Sequence, residues 1–421
     1  MLHRAKLLTS GFLYLIFLQT QAQDSLSVKR NVPMDSTHAA HDRLRLFSGR
    51  EPVDLLDIGG WIIGKRGSRQ NDTALMKVGR AYVSVLPTAE YTLQTGFAVS
   101  VGGNVAFLTS ASKNENISNV LTSLNYSLKR QFFIPMQANV WTKNNRYNIN
   151  TDWIFSIFPQ KTYGLGGYTT MQDGYPIDYH QVRLNQTLFK TISPKFYLGI
   201  GYNFEYYWNI SQSIYPSDSL TDWTKYGFRK TSVSSGPTLN LLYDERRNPI
   251  NPFPGNYARV AFRSNFTFLG ADNDWASLLI DLRKYIHFPT NSNNTLAFWS
   301  HDLFTLYGKP PYLNLPYTAC DEYANLGRGY VQGRYRGANL VYLESEYRYR
   351  ITSNGLIGGV VFVNAQSYTG TENNQFQTIL PGWGFGLRIK FNKFSNTNAC
   401  LDYGWGINGS HGIFANLGEV F

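Results

Sequence analysis

The chain has 421 residues, a formal net charge of +11, 15% aromatic residues including 29 Tyr, and a mean hydropathy of −0.29. A chain of this length ordinarily makes two or three soluble domains, but one alternating texture runs unbroken from about residue 80 to the end, which argues for a single large unit. No nucleic-acid-binding motif and no clustered Cys/His metal pattern is present. Cys320 and Cys400 are too few for a disulfide framework.

In chain order, residues 1–22 read as a signal peptide: His3, Arg4 and Lys6 form a cationic start, Leu7 to Leu18 an apolar core, and Thr20-Gln-Ala22 a small-residue cleavage site. Residues 23–81 read as a short periplasmic segment, polar apart from 51–63. There Val53, Leu55, Leu56, Trp61 and Ile62 share one side of a possible amphipathic helix at a membrane face or barrel mouth. No later window approaches the ~20 apolar residues of a membrane helix. An exported chain that crosses a membrane must then do so with strands.

From about residue 82 the period is two. Ala258, Val260, Phe262, Ser264, Phe266 and Phe268 alternate with Arg259, Arg263 and Asn265; Val341, Leu343, Tyr347 and Tyr349 are set against Glu344, Glu346, Arg348 and Arg350. Trp383 to Phe391 and Cys400 to Trp405 continue the dyad. A soluble sandwich also alternates, but these strands reach ten or more residues, short turns alternate with long loops, and aromatics gather at strand ends. In lipid, strands satisfy their backbone groups only by closing. The expected fold is all-β: a transmembrane antiparallel β-barrel of about sixteen strands from 86–92 to 412–421. The longest outer loop, 307–337, is the sixth, and the final Phe421 closes the last strand.

The motifs of 82–421 together resemble the bacterial surface antigen, or BamA/TamA-type, superfamily of outer-membrane barrels. Arg328-Gly329-Tyr330 is similar to the family's Arg-Gly-aromatic loop tip, which folds back into the lumen. Glu346 in "LESEYRYRI" matches the lumen-facing Glu of the next strand, and Phe362-Val363-Asn364 stands where the family has Phe-x-Asp. "GPTLNLLYDERRNPINPFPGNY" (236–257) and the terminal "LDYGWGI…GEVF" complete the likeness. Gly327 replaces the family's Val or Leu, and Asn364 its Asp, so the anchor is expected to rest on Glu346, with Asp402 as a further acceptor. Arg334 and Arg336 either act like Arg328 or face water.

What the resemblance implies is a Gram-negative outer-membrane location and the branch without POTRA domains, since 23–81 is too short to hold one. The function it implies is assembly, insertion or translocation of client proteins, with a gated channel or a lipid- or solute-handling barrel as the alternative. A barrel plugged by its loop, with a weak seam between first and last strands, can open sideways. Pro87 in the first strand cannot donate a ladder bond. The family's C-terminal strand marks its members for assembly, a role that falls here to Phe421. Expected partners are outer-membrane lipids, including lipopolysaccharide, nascent outer-membrane proteins and periplasmic or lipoprotein partners, without nucleic acid or cofactor. His180, His287 and His301 lie in strands with no Ser or Asp arrangement of a hydrolase, so no enzyme activity is expected.

Overall fold

The computed structural model describes residues 52–62 and 78–421, apart from residues 93, 111–115, 214–220, 247, 253, 371–373 and 394. The expected signal peptide and most of the segment before the barrel lie outside the described residues. The strands are β1 Tyr82–Thr92, β2 Gly96–Phe107, β3 Ser118–Ser127, β4 Phe132–Trp141, β5 Tyr147–Ile157, β6 Gln160–Thr162, β7 Tyr175–Ser193, β8 Phe196–Gln212 and β9 Ser232–Asp244. They continue as β10 Gly255–Asn265, β11 Trp275–His287, β12 Thr295–Gly308, β13 Leu340–Arg350, β14 Ile357–Tyr368, β15 Leu380–Asn392, β16 Thr397–Gly406 and β17 His411–Leu417.

All seventeen lie in one antiparallel sheet, each beside its chain neighbour except that β5 and β6 both lie along β7. The three-residue β6 continues the line of β5 along β7, so the wall has sixteen staves, as the sequence pattern predicts. Short turns gather at one end and long loops at the other. β7 and β8, at 19 and 17 residues, exceed the ~9–11 that a tilted strand needs to span a bilayer. β8 runs on from Tyr207 to Gln212 past its register with β9 and pairs there with the start of β7, so these strand ends extend beyond the wall at the long-loop end.

Burial is inverted relative to a soluble protein. Leu239, Leu282, Phe298, Leu343, Val363, Phe385 and Leu401 are exposed, while Glu344, Glu346, Arg348, Asn364, Gln366, Arg388 and Asp402 are buried. Period-two alternation puts the first set on the outer face and the second in the lumen. Lipid is the solvent that makes this arrangement favourable.

Two helices are described. In α1, Leu55–Ile62, Asp54 and Asp57 cap one another's backbone N–H across the first turn. The Asp54 carboxylate also accepts from the Lys393 N–H, and Asp57 pairs with the Lys393 ammonium at 3.0 Å. These bonds fix α1 against the β15–β16 turn, at the short-turn mouth of the barrel. The second helix, α2 (Asp222–Gly227), starts on a Thr221 cap and belongs to the long β8–β9 loop.

Two features depart from the expected strand plan. No register pair joins β1 to β17 among the described residues, although their Cα atoms approach within 8 Å. The last strand also ends at Leu417 rather than at Phe421. Beyond it Gly418 N–H bonds Asn398 O and Glu419 N–H bonds Ile250 O, both at 2.8 Å, so the chain leaves the wall. Phe421 is buried, stacked on Trp299 with centroids 5.1 Å apart. Apolar alternation at Ile413, Ala415 and Leu417 could not reveal this departure, which rests on the contact of Glu419 with Ile250 in the distant β9–β10 turn.

Candidate functional site

The β12–β13 connection enters the lumen because it is held along its length. At the long-loop end, Tyr312 stacks on Trp223 with centroids 4.5 Å apart, within a buried cluster that includes Ile177, Tyr179, Tyr207 and Leu315. Arg334 and Arg336, both buried, reach neither carboxylates nor water. Arg334 donates to Thr169 O (2.6 Å) and Oγ1 (2.9 Å) beneath the Tyr163 and Tyr335 rings. Arg336 donates to the carbonyls of Tyr312 (2.9 Å) and Leu315 (3.2 Å). Cationic side chains thus cross-link the loop to itself and to the β6–β7 connection by neutral acceptors.

The loop tip is fixed differently. Arg328, fully buried, donates from Nη1 to Asp402 Oδ2 at 2.6 Å and from Nη2 to Glu346 Oε2 at 2.5 Å and to Glu344 Oε1. Its guanidinium lies 3.8 Å from the centroid of the Phe362 ring. Burial alone would favour loss of the proton, but Glu344, Glu346 and Asp402 outweigh it and hold the cation. Gly329 has φ +109°, and a Cβ there would meet Trp405 O at 2.5 Å, so only glycine lets the tip lie against β16. Tyr330 Oη then donates to Pro381 O at 2.6 Å and accepts from Ile407 N–H at 3.0 Å.

The departures from the family pattern have local reasons. Gly327 is left-handed (φ +85°), and a Cβ would stand 2.8 Å from the Thr318 methyl, leaving no room for Val or Leu. Asn364 serves as a donor: its amide bonds the Arg328 carbonyl at 2.9 Å. A carboxylate there could not donate.

Around this tip the lumen carries alternating charge. Arg388 bonds Asp402 and Glu419, the latter at 2.8 Å, while Arg348 bonds Glu346 and, at 2.8 Å, the Phe421 carbonyl. Arg328, Arg348 and Arg388 stand among Glu344, Glu346, Asp402 and Glu419, all buried or nearly so. The seven candidate residues Arg328, Gly329, Tyr330, Glu346, Phe362, Asn364 and Asp402 therefore converge. The expectation that Glu346 is the main counter-charge is corrected, since three carboxylates share the arginine. Glu344 follows from the same dyad as Glu346, two residues away on one face; Arg348 follows likewise. Glu419 had no such signal because it lies beyond the strand.

The remaining candidates are separate. Phe421 packs inside the barrel rather than on β17. Cys320 and Cys400 are free thiols. His301 stands opposite Asp281 across the β11–β12 ladder, Nδ1 to Oδ2 3.6 Å, while Arg283 and Trp299 also hold that carboxylate. A dyad offset between two strands gave this Asp–His neighbourhood no sequence signature.

No family model and no curated protein matches the chain. Among solved structures it is similar to BamA from Haemophilus ducreyi lacking POTRA domains 1-3, at 13% identity and TM-score 0.54, over 80% of this chain and 69% of that one. It is also similar to CdiB from Acinetobacter baumannii and from Escherichia coli, at 12% and 10% identity and TM-score 0.50, over 80% of this chain and 60% and 62% of those. The chain thus spans less than two thirds of either CdiB. At such identities the likeness establishes a shared barrel fold.

Proposed function

We propose that this protein resides in the outer membrane of a Gram-negative bacterium and helps client proteins insert into or cross that membrane, without enzymatic chemistry of its own. The observation that carries the reading is the seam: among the described residues every other neighbouring pair of staves has a register, and β1 and β17 lie side by side without one. An unpaired edge is a template for another strand, and here it meets both lipid and lumen. The loop supports the same reading from within. It lies within the lumen and bonds β15, β16 and the β16–β17 turn through Pro381, Asp402 and Ile407, bracing one side of the seam while the other stays open to pairing. The fold shared with BamA and CdiB adds support. The partners in this reading are membrane lipids, lipopolysaccharide among them, nascent barrel proteins and the periplasmic or lipoprotein factors that deliver them.

The test uses liposomes carrying the purified protein and a urea-unfolded barrel client. Protease-protected client should accumulate faster than in empty liposomes, and an engineered disulfide between β1 and β17 should abolish the gain until it is reduced. Equal insertion with and without the protein, together with steady conductance, would instead establish a passive channel.

A further inference from the structure

The outer wall is not evenly convex. Over β11–β14 it carries a groove of about 610 Å³. Leu282, Phe298, Leu343 and Val363 stand exposed along it. The smaller Ser345 lies between Phe298 and Val363, Ser300 between Leu282 and Leu343, and Ala365 beside Leu343. The Ser300 hydroxyl donates to Asp302 Oδ2 at 3.0 Å, so it needs no partner in the groove. With the outer-membrane location proposed for the chain, on which this inference rests, the short turns face the periplasm. We propose that the groove binds one phospholipid of the periplasmic leaflet, an acyl chain along its floor and the phosphate on Lys284.

The register gives the groove its direction. Lys284 faces Asn256 on one side and Phe298 on the other, Phe298 faces Ser345, and Ser345 faces Val363. This row lies one residue in from the short-turn end of its strand at Asn256, three at Lys284 and Phe298, five at Ser345 and six at Val363. It therefore climbs from the barrel's edge into the wall, as strand tilt requires. A lipid with its head at Lys284 and its tail toward Val363 and Ala365 runs from the membrane surface into the hydrocarbon.

Aromatic rings mark the depth of Lys284. Phe288 packs on Tyr347 and Tyr347 on Tyr349, with centroids 6.2 and 5.9 Å apart, at the short-turn end where an interfacial belt belongs. Tyr347 follows Ser345 of the Lys284 row on the same face, so Lys284 stands just inside the belt. From there its stem covers apolar surface and its ammonium reaches the phosphate level. Lys284 is exposed and makes no ion pair among the described residues. Glu245, bonded by Asn256 at 2.9 Å, is taken by Lys195 at 2.8 Å. A cation on the lipid face without a protein partner is costly unless a headgroup meets it. A second copy of the chain is a poor occupant. Two barrels inserted alike are related by an axis along the membrane normal, which sets Lys284 against Lys284.

The experiment takes the full chain, delipidated in dodecyl maltoside, and titrates it with palmitoyl-oleoyl-phosphatidylglycerol, counting bound lipid by native mass spectrometry. Dioleoylglycerol and inorganic phosphate are the comparators. One phosphatidylglycerol per chain should saturate, and neither comparator should be retained. Lys284→Gln, which removes the charge, and Ser345→Phe, which fills the floor, should each weaken binding about tenfold. Leu188→Phe, on the lipid face of β7, should leave it unchanged, and all three variants should keep heat-shifted gel mobility. Lipid counts that rise without saturating, or that match in the parent and both groove variants, would show ordinary solvation by lipid and overturn the proposal. Equal retention of dioleoylglycerol or of phosphate would overturn it too. Two chains per particle in the parent and one in Ser345→Phe would assign the groove to a second copy instead. A parent that stays monodisperse without detergent would refute the membrane location itself. Client insertion is not read, so failure of lipid binding alone leaves the role proposed for the seam standing.

Discussion

The Asn364 side-chain amide donates to the Arg328 carbonyl across 2.9 Å, so the loop tip is held on its main chain by a neutral bond as well as on its side chain by charge. Asn364→Asp removes that donor and adds a fourth carboxylate beside Glu344, Glu346 and Asp402. A lost buried bond of this kind costs ~1–3 kcal/mol. Protease cleavage within 307–337 should become several-fold faster, and unchanged cleavage would show that the amide does not hold the tip.

Removing the arginine should do more than removing one of its partners. Arg328→Ala leaves three buried carboxylates facing one another, a loss of about 3–5 kcal/mol on the scale of broken buried pairs. The barrel should persist, with a lower thermal midpoint and faster loop cleavage. Adding Glu344→Gln, Glu346→Gln and Asp402→Asn to Arg328→Ala should recover part of the midpoint. If the fourfold variant is no better than Arg328→Ala, repulsion among the carboxylates is not the cause. Glu346→Arg combined with Arg328→Glu should recover little, because Arg348 and two other carboxylates surround the exchanged pair.

Acid should act through the C-terminal tail. Burial disfavours ionised Glu419, but Arg388 and Arg348 outweigh it and Asn398 adds a hydrogen bond, pushing the carboxyl down to about 2 from its ordinary 4.5. The folded value is the lower one, so this stabilisation is complete above pH ~4.5 and is lost as pH falls toward 2. Its size is of the order of 3 kcal/mol. The thermal midpoint of the parent should fall across that window and Glu419→Gln should flatten the fall; identical profiles would exclude the tail as the acid-sensitive element.

Phe421 should behave as a core residue. Its ring is buried against Trp299 and Tyr285, with the Arg348 guanidinium 5.4 Å from its centroid. Phe421→Ala should lower stability by about 3–5 kcal/mol, and it should shift the Trp299 contribution to fluorescence in folded protein. A role confined to marking the chain for assembly would reduce the yield of inserted barrel and leave the stability of what is inserted unchanged.

Conductance tests the plug. The intact protein in planar bilayers should give small, erratic currents, and deletion of residues 320–337, which carry Arg328, Arg334 and Arg336, should enlarge them. Steady large currents in the parent would mean that the loop does not obstruct the path.

The staves were legible in the sequence because period two is enforced twice, by lipid outside and by charge inside. Val341 to Arg350 reads correctly residue by residue for that reason. The tip was legible through motif likeness at Arg328-Gly329-Tyr330, and its partners Glu344 and Asp402 through their place on the lumenal dyad. What stayed hidden depends on contacts between segments with no shared period. Arg334 and Arg336 look like solvated cations until the Thr169, Tyr312 and Leu315 carbonyls are brought to them. The inward turn after Leu417 is specified by Asn398 in the neighbouring β16 and by Ile250 in the distant β9–β10 turn.

The loop's two flanks are fastened by different chemistry, and that difference orders its release. Toward β13–β16 the tip is tied by the buried Arg328–carboxylate cluster, which acid loosens, with neutral bonds from Asn364 and Tyr330 beside it. Toward β6–β7 it is tied by the Arg334 guanidinium on the neutral Thr169 acceptors and by stacked rings, where there is no carboxylate for acid to protonate. A disturbance that frees the ionic flank would leave the segment suspended from the other wall like a gate on its hinge, swung away from the very staves that border the seam.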